Sequence, residues 1–169
     1  ILGKNADVEM ITKMMDKLAE TFDSIYWTGS AYRSADYTGE TDDRSQAMAV
    51  VSGLASADKY PALVKVLKKE YHASPYMEKY VLESMYLMGA DKEAMVRTIN
   101  RFGPFLEDGY PTLPEIWSDQ SMFGGDETKN HAWTGAPLSL LYMYNAGILP
   151  TSAAFETIQV KPHLGTLTS

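Results

Sequence analysis

Apolar residues recur along this chain at three- and four-residue steps, the spacing that gathers them on one face of an α-helix. The first such stretch, residues 5–22, carries Val8, Ile11, Met15, Leu18 and Phe22 on one stripe with charge opposite. A second, 46–57, follows Asp42 and Asp43, acids that suit a helix N-terminus, and contains no charged residue, so it reads as buried. The third, 61–71, opens on Pro61, whose fixed φ fits a first turn. It sets Leu63, Val66 and Leu67 inward and Lys65, Lys68 and Lys69 outward. Ser74-Pro75 signals the cap and first turn of a fourth helix, which bears Met77, Val81, Met85 and Met88 and stops at Gly89. Tyrosines at 76, 80 and 86 widen its apolar surface. Asp91 is read as the cap of a fifth, 92–102, with Met95, Ile99 and Phe102 facing in, Arg97 and Arg101 facing out, and a stop at Gly103-Pro104. The sixth runs from Ala136-Pro137 to Asn145 without charge, and beyond Pro150 the run FETIQVKP alternates Phe155, Ile158 and Val160 as one strand.

Every even helix is less charged than its neighbours, which predicts two layers: inner helices covered on all sides and outer helices with one wet face. Successive helical hairpins arranged as a toroid satisfy that pattern. Stacked helical repeats are the competing architecture, but they call for a fixed period or self-similar motif that the chain lacks. Most links are short, at 58–60, 72–74 and 89–91; two are long, at 23–45 and 103–135, and both lead from an outer helix to an inner one. They are therefore expected to open on one rim, and long structureless loops in compact domains usually carry function. The rings of Tyr26, Trp27, Tyr32, Tyr37, Trp117 and Trp133 fall in them, together with Asp42, Asp43, Arg44, Glu115 and His131; His72 and His163 lie elsewhere. Methionines 10, 14, 15, 77, 85 and 88 are assigned to the core.

Composition narrows the partners. With 169 residues, 45% hydrophobic and 22% charged, the chain is long enough for one globular domain with a real core. A net charge of −7 argues against nucleic acid and anionic membrane surfaces, which reward clustered Lys and Arg, and leaves a neutral substrate acceptable. The absence of cysteine excludes thiol chemistry but leaves the compartment open. No apolar run approaches the roughly 20 residues of a membrane span. The N-terminal ILGKNADVEM has neither a signal-peptide pattern nor an initiator Met, so the chain is expected to be a piece of a longer protein.

An aromatic rim with carboxylates and one histidine has the composition of a carbohydrate site, where rings stack on sugar faces and polar groups bind hydroxyls. The separation of Glu115 from His131 fits no metal motif, Gly124-Gly125 is a lone pair outside any phosphate-loop context, and neither a metal nor a cofactor is assigned. Each residue also has a plainer reading. Glu115 can close a turn or form a surface ion pair, and His131 can serve the start of a helix. Trp117 and Trp133 can pack the loop, and Asp42 and Asp43 can cap a helix with Arg44 paired to one of them.

Four stretches carry a resemblance: DDRSQAMAVVSGLAS (42–56), KYVLESMYLMG (79–89), TLPEIW (112–117) and NHAWTGAPLSLLYMYNAGILPT (130–151). In this order and spacing they resemble the C-terminal half of bacterial α-L-rhamnosidase catalytic domains, family 78 of the glycoside hydrolases, over nearly the whole chain. The resemblance implies an all-α (α/α)6 toroid of helical hairpins, about half of it present in residues 1–149, with 150–169 starting a C-terminal β-sandwich. It implies inverting hydrolysis of terminal α-L-rhamnosides by two carboxylic acids, with Glu115 as general base. His131, Trp117 and Trp133 would line the sugar subsite, with Asp43 and Arg44 as further substrate contacts. The general acid would come from the remainder of the parent domain, since no stretch here matches its motif, and the fragment alone would be inactive. Pro114 stands where the family often has an aromatic residue. The alternative, from another class, is a non-catalytic helical module that binds carbohydrate or protein.

Overall fold

The computed structural model describes residues 3–117 and 128–167, and within them the chain is mainly helical. The helices are α1 (Asn5–Tyr26), α2 (Asp43–Val51), α3 (Tyr60–Lys69), α4 (Pro75–Leu87), α5 (Asp91–Glu107) and α6 (Ala136–Leu140). A 3-10 turn over Ala132–Gly135 leads into α6, and a π-turn over Leu141–Asn145 extends it. Strands β1 (Ile148–Pro150) and β2 (Ile158–Val160) pair antiparallel, with Leu149 opposite Gln159. The Gly124-Gly125 turn lies outside the described residues.

The inner and outer layers are present. Helix α2 packs on α4 and α4 on α6, while α3 and α5 lie against them from outside. This is the arrangement of an α/α-toroid segment followed by the start of a small sheet. Local signals set several boundaries. Asp42 accepts from the backbone N–H of Arg44 at 2.8 Å and caps α2, and the Ser74 hydroxyl accepts from Met77 to cap α4. Gly89, at φ +74°, lets the Ala90 N–H return to the Met85 carbonyl and close α4. The core gathers around α4, where Val81, Leu82 and Met85 meet Leu67 of α3, Phe102 of α5 and Leu140 of α6.

Arg97, expected to face solvent, is instead the bulkiest fully buried side chain among the described residues. Its Nε donates to Glu78 Oε1 at 2.5 Å, and its Nη2 donates to Glu78 Oε2 at 3.0 Å and to Asp43 Oδ2 at 2.6 Å. Nη1 donates to the carbonyls of Leu67 and Glu70, and the guanidinium lies 4.2 Å from the Tyr71 ring centre. One cation thus joins α2, α4, α5 and the end of α3. Burial alone would lower the Arg97 pKa, but the hydrogen bonds and charges of Glu78 and Asp43 outweigh it and leave the pKa raised. Arg101 adds its Nε 3.6 Å from Glu78 Oε2, so the two carboxylates face two guanidinium groups.

Other expectations are corrected. Helix α5 passes through Gly103-Pro104 to Glu107. Proline inside a helix costs about 3 kcal/mol. Continuing offsets that cost by burying Phe105, which stacks on Trp117 with ring centres 5.8 Å apart. Ile99 points outward, because the inward face at that level is taken by Arg97 and Phe102. Asp91 opens α5 without capping it and pairs instead with His163 at 3.0 Å, which ties the C-terminal segment to the helices. The predicted single strand is one arm of a hairpin, and Phe155 sits in its turn at φ +58°. Helix α1 buries none of its residues: Val8, Ile11, Met10, Met14 and Met15 are all more than half exposed, because nothing among the described residues covers that stripe. Leu138 and Tyr142 likewise leave one face of α6 open.

Removing one member of a buried ion network strands the others, at about 3–5 kcal/mol. Arg97→Met should therefore lower stability by that amount, read as a shift of the urea midpoint with an unchanged slope. A variant as stable as the parent would show that Asp43 and Glu78 do not depend on it.

Candidate active site

The segment 112–117 has no secondary structure of its own and is held from both sides. Trp117 anchors it: the indole is 3% exposed, donates from Nε1 to the Ala73 carbonyl at 2.7 Å, and packs on Phe102 and Phe105. The Arg101 guanidinium lies 3.9 Å from its ring centre and also donates to Ala73 O, at 2.6 Å. Four hydrogen bonds tie the segment to the 128–134 stretch. Glu115 N donates to Thr128 O at 2.8 Å, and His131 N donates to Leu113 O at 2.8 Å. The Thr112 hydroxyl donates to Lys129 O at 2.6 Å, and the buried Thr134 hydroxyl donates to Pro114 O at 2.7 Å.

This double fastening presents the Glu115 carboxylate beside His131. Oε2 lies 3.7 Å from His131 Nδ1, and the two side chains are 35% and 27% exposed. That separation is too long for a hydrogen bond, and the buried Nδ1 has no hydrogen-bond partner among the described residues. The imidazole stacks on Trp133 with centres 3.8 Å apart, and Trp133, 43% exposed, lies 5.3 Å from the Tyr76 ring. Tyr80 follows one turn along α4, its hydroxyl 3.4 Å from that of Tyr76. An acid, an imidazole and three rings therefore run in a row along the rim at the N-terminal ends of α4 and of the turn leading into α6.

The other predicted residues separate from this row. Trp117 has its ring faces covered by Phe105 and Arg101 and is a core anchor. Asp43 is fully buried, and besides Arg97 it accepts from the backbone N–H groups of His72 and Ala73 at 3.2 and 3.4 Å. Asp42 and Arg44 pair with each other at the surface. Burial would raise the Asp42 pKa, but the Arg44 hydrogen bonds and charge lower it overall. Trp27 and Tyr32, assigned from sequence to the pocket mouth, join the core with Ala49, Val50 and Leu63. Gln46 holds them by pairing both its amide atoms with the Tyr32 backbone, at 2.7 and 2.9 Å.

Two residues not singled out from sequence also line this rim. Tyr76 reads as part of an apolar helix face, yet it is the second residue of α4, where a side chain projects past the helix end. His72 was set apart from the long loops, but it shares a cleft with Tyr37, Glu40, Asp42 and Arg44. The pairing of Asp43 with the chain at 72–73 holds that turn beside the cleft. Among the described residues no group of three or more His, Asp and Glu side chains could hold a metal ion.

Two solved structures share this architecture. The GH78 family rhamnosidase of Bacillus sp. GL1 aligns with a TM-score of 0.76 at 19% identity, over 95% of this chain and 19% of its own. The α-L-rhamnosidase from Dictyoglumus thermophilum aligns with a TM-score of 0.75 at 22% identity, over 96% of this chain and 19% of its own. No protein-family model and no curated protein matches the sequence. The chain therefore has the fold of a segment of these two rhamnosidases and spans about 19% of their length.

Trp117→Ala should cost about 3–5 kcal/mol, as expected for deleting a buried indole. Trp117→Phe, which keeps a ring but gives up the bond to Ala73 O, should cost roughly 1–2 kcal/mol. Urea titrations of both variants check the order. A Trp117→Phe variant as stable as the parent would mean that the hydrogen bond to Ala73 contributes nothing.

Proposed function

We propose that this chain is part of the barrel of an inverting α-L-rhamnosidase, that residues 1–149 form about half of that barrel, and that 150–169 begin a following β-sandwich. Glu115 is the general base. The observation that carries this reading is the placement of Glu115: a half-exposed carboxylate 3.7 Å from His131, in line with Trp133 and Tyr76, on a loop fastened to the core by Trp117.

In the reaction, Glu115 takes a proton from a water molecule. The water oxygen bonds to the anomeric carbon on the face opposite the glycosidic oxygen, and the bond to that oxygen breaks. A second carboxylic acid, outside this chain, gives its proton to the departing oxygen. Room for the water sets the two carboxyl groups roughly 6.5–9.5 Å apart. His131, close to Glu115 yet not bonded to it, is placed to bind a sugar hydroxyl beside the attacking water. Trp133 and Tyr76 offer exposed ring faces to the apolar side of the sugar. Trp117, Asp43 and Arg97 act one step back, by holding the loop where these groups meet. Arg44, committed to Asp42, contacts substrate only from the neighbouring cleft.

In the full-length protein, Glu115→Gln should lower kcat on an aryl α-L-rhamnoside by about 10²–10⁴-fold, the usual size of a general-base contribution, with little change in KM. An unaffected kcat discards Glu115 as the base. Stabilisation of the wild type by rhamnose with no turnover would instead favour a sugar-binding module.

A further inference from the structure

We propose that the cleft between the 27–42 loop and the 70–73 turn is a second carbohydrate subsite, taking a neutral, hydroxyl-rich sugar adjacent in the glycan to the one held at Glu115. This rests on the glycosidase reading above and extends it from a single terminal sugar to an oligosaccharide. The cleft has a volume of about 240 Å³ and is lined by Tyr37, Glu40, Asp42, Arg44 and His72. That is somewhat below the roughly 300 Å³ at which pockets for drug-sized ligands begin, a scale suited to one monosaccharide.

The cleft wall is built and held. Arg33 donates from Nη1 to the Thr41 hydroxyl at 3.0 Å, and from Nη2 to the carbonyls of Tyr37, at 3.2 Å, and of Gly39. Its guanidinium lies 5.5 Å from the centre of the Tyr37 ring. Tyr37 lies so close to Gly39 that any side chain there would run into its hydroxyl, so the glycine lets the ring fold back over its own loop. The result is an aromatic surface, 54% exposed, on a loop whose backbone Arg33 holds.

Opposite the ring stand groups with hydrogen-bonding capacity left. The Glu40 side chain is 82% exposed, with its Oε2 3.6 Å from His72 Nε2, too far for a hydrogen bond, and Asp42 and Arg44 stand beside it. A ring face with donors and acceptors at its edge matches the two-sided chemistry of a pyranose, apolar on its C–H face and polar at its rim. Charge selects further. Arg44 is taken up by Asp42 and Lys69 by Glu70, and Glu40 stands beside His72, so among these groups an anionic sugar would find no uncommitted cation and is disfavoured.

The cleft and Glu115 share one frame. The Asp43 carboxylate receives the N–H groups of His72 and Ala73, and the Ala73 carbonyl receives the Trp117 indole, two residues from Glu115. Both sites lie at the N-terminal ends of neighbouring inner helices, α2 and α4.

The test uses the full-length protein and two substrates, an aryl α-L-rhamnoside and a neutral oligosaccharide ending in α-L-rhamnose. His72→Ala and Tyr37→Ala should each lower kcat/KM on the oligosaccharide about tenfold more than on the aryl glycoside, chiefly through KM, as expected for one lost hydrogen bond or ring contact. Tyr37 is surface-exposed, so its variant tests the idea even if His72→Ala fails to fold. Equal effects on both substrates, or a wild type that cleaves only the aryl glycoside, overturn the subsite and leave the glycosidase reading intact. A wild type inactive on both overturns the glycosidase reading itself, and the subsite with it.

Discussion

One guanidinium, that of Arg97, sits where α2, α4, α5 and the end of α3 converge, and its hydrogen bonds to Asp43 and Glu78 let both carboxylates lie inside the protein. An unpaired carboxylate in such a place would neutralise or come out. Paired, both stay, and each then does a second job. Glu78 carries Arg101 along with Arg97, and Asp43 turns its remaining lone pairs on the backbone at residues 72 and 73. Hydrophobic contact would hold these helices together, but it is non-directional. The ionic hub sets their relative height as well, because its hydrogen bonds tolerate only small changes in distance and angle.

Precision at the rim descends from that hub. Arg101 and Trp117 both donate to the Ala73 carbonyl, and Arg101 covers one face of the indole. The loop bearing Glu115 is thereby referred to the same residues that Asp43 positions from the other side. A carboxylate that must take a proton from a placed water gains from rigid support of this kind, since catalytic groups lose effect quickly when displaced by an ångström. The same frame reaches the cleft around His72, so two groups of polar side chains on the rim keep a fixed spacing.

What could be read from the sequence follows the range of the forces involved. The start and the end of α4 are set by Ser74-Pro75 and Gly89, whose effects extend three or four residues, and these were legible; α2, expected over 46–57 behind Asp42 and Asp43, instead runs Asp43–Val51 with Asp42 itself as the cap. The layering was legible too, because charge is excluded from covered faces. Arg97 was not: its partners lie 54 and 19 residues away, and without them an arginine on an amphipathic helix belongs outside. Trp117 misleads in the same manner, since the carbonyl that claims its indole is 44 residues distant. Pro104 obeys its local rule less than it obeys Phe105, whose burial against Trp117 decides how far α5 runs. Glu115 is conspicuous in the sequence through Pro114 and Trp117, but its proximity to His131 depends on the pairing of the 112–115 and 128–134 stretches, which no periodicity announces.

Helix α1 is fixed at one end only. Asp23, near its C-terminus, receives Lys59 Nζ at 2.6 Å and the Tyr32 hydroxyl at 2.7 Å, while no residue of its first four turns is buried among the described residues. A helix of that length is marginal in water without a covering surface, so its winding and the docking of a cover over its methionines form one coupled equilibrium. Its pinned end is joined through Tyr32 to Gln46, and so to the first turn of α2, the turn that also holds Asp43, which makes the state of α1 and the start of α2 neighbours in one hydrogen-bonded chain.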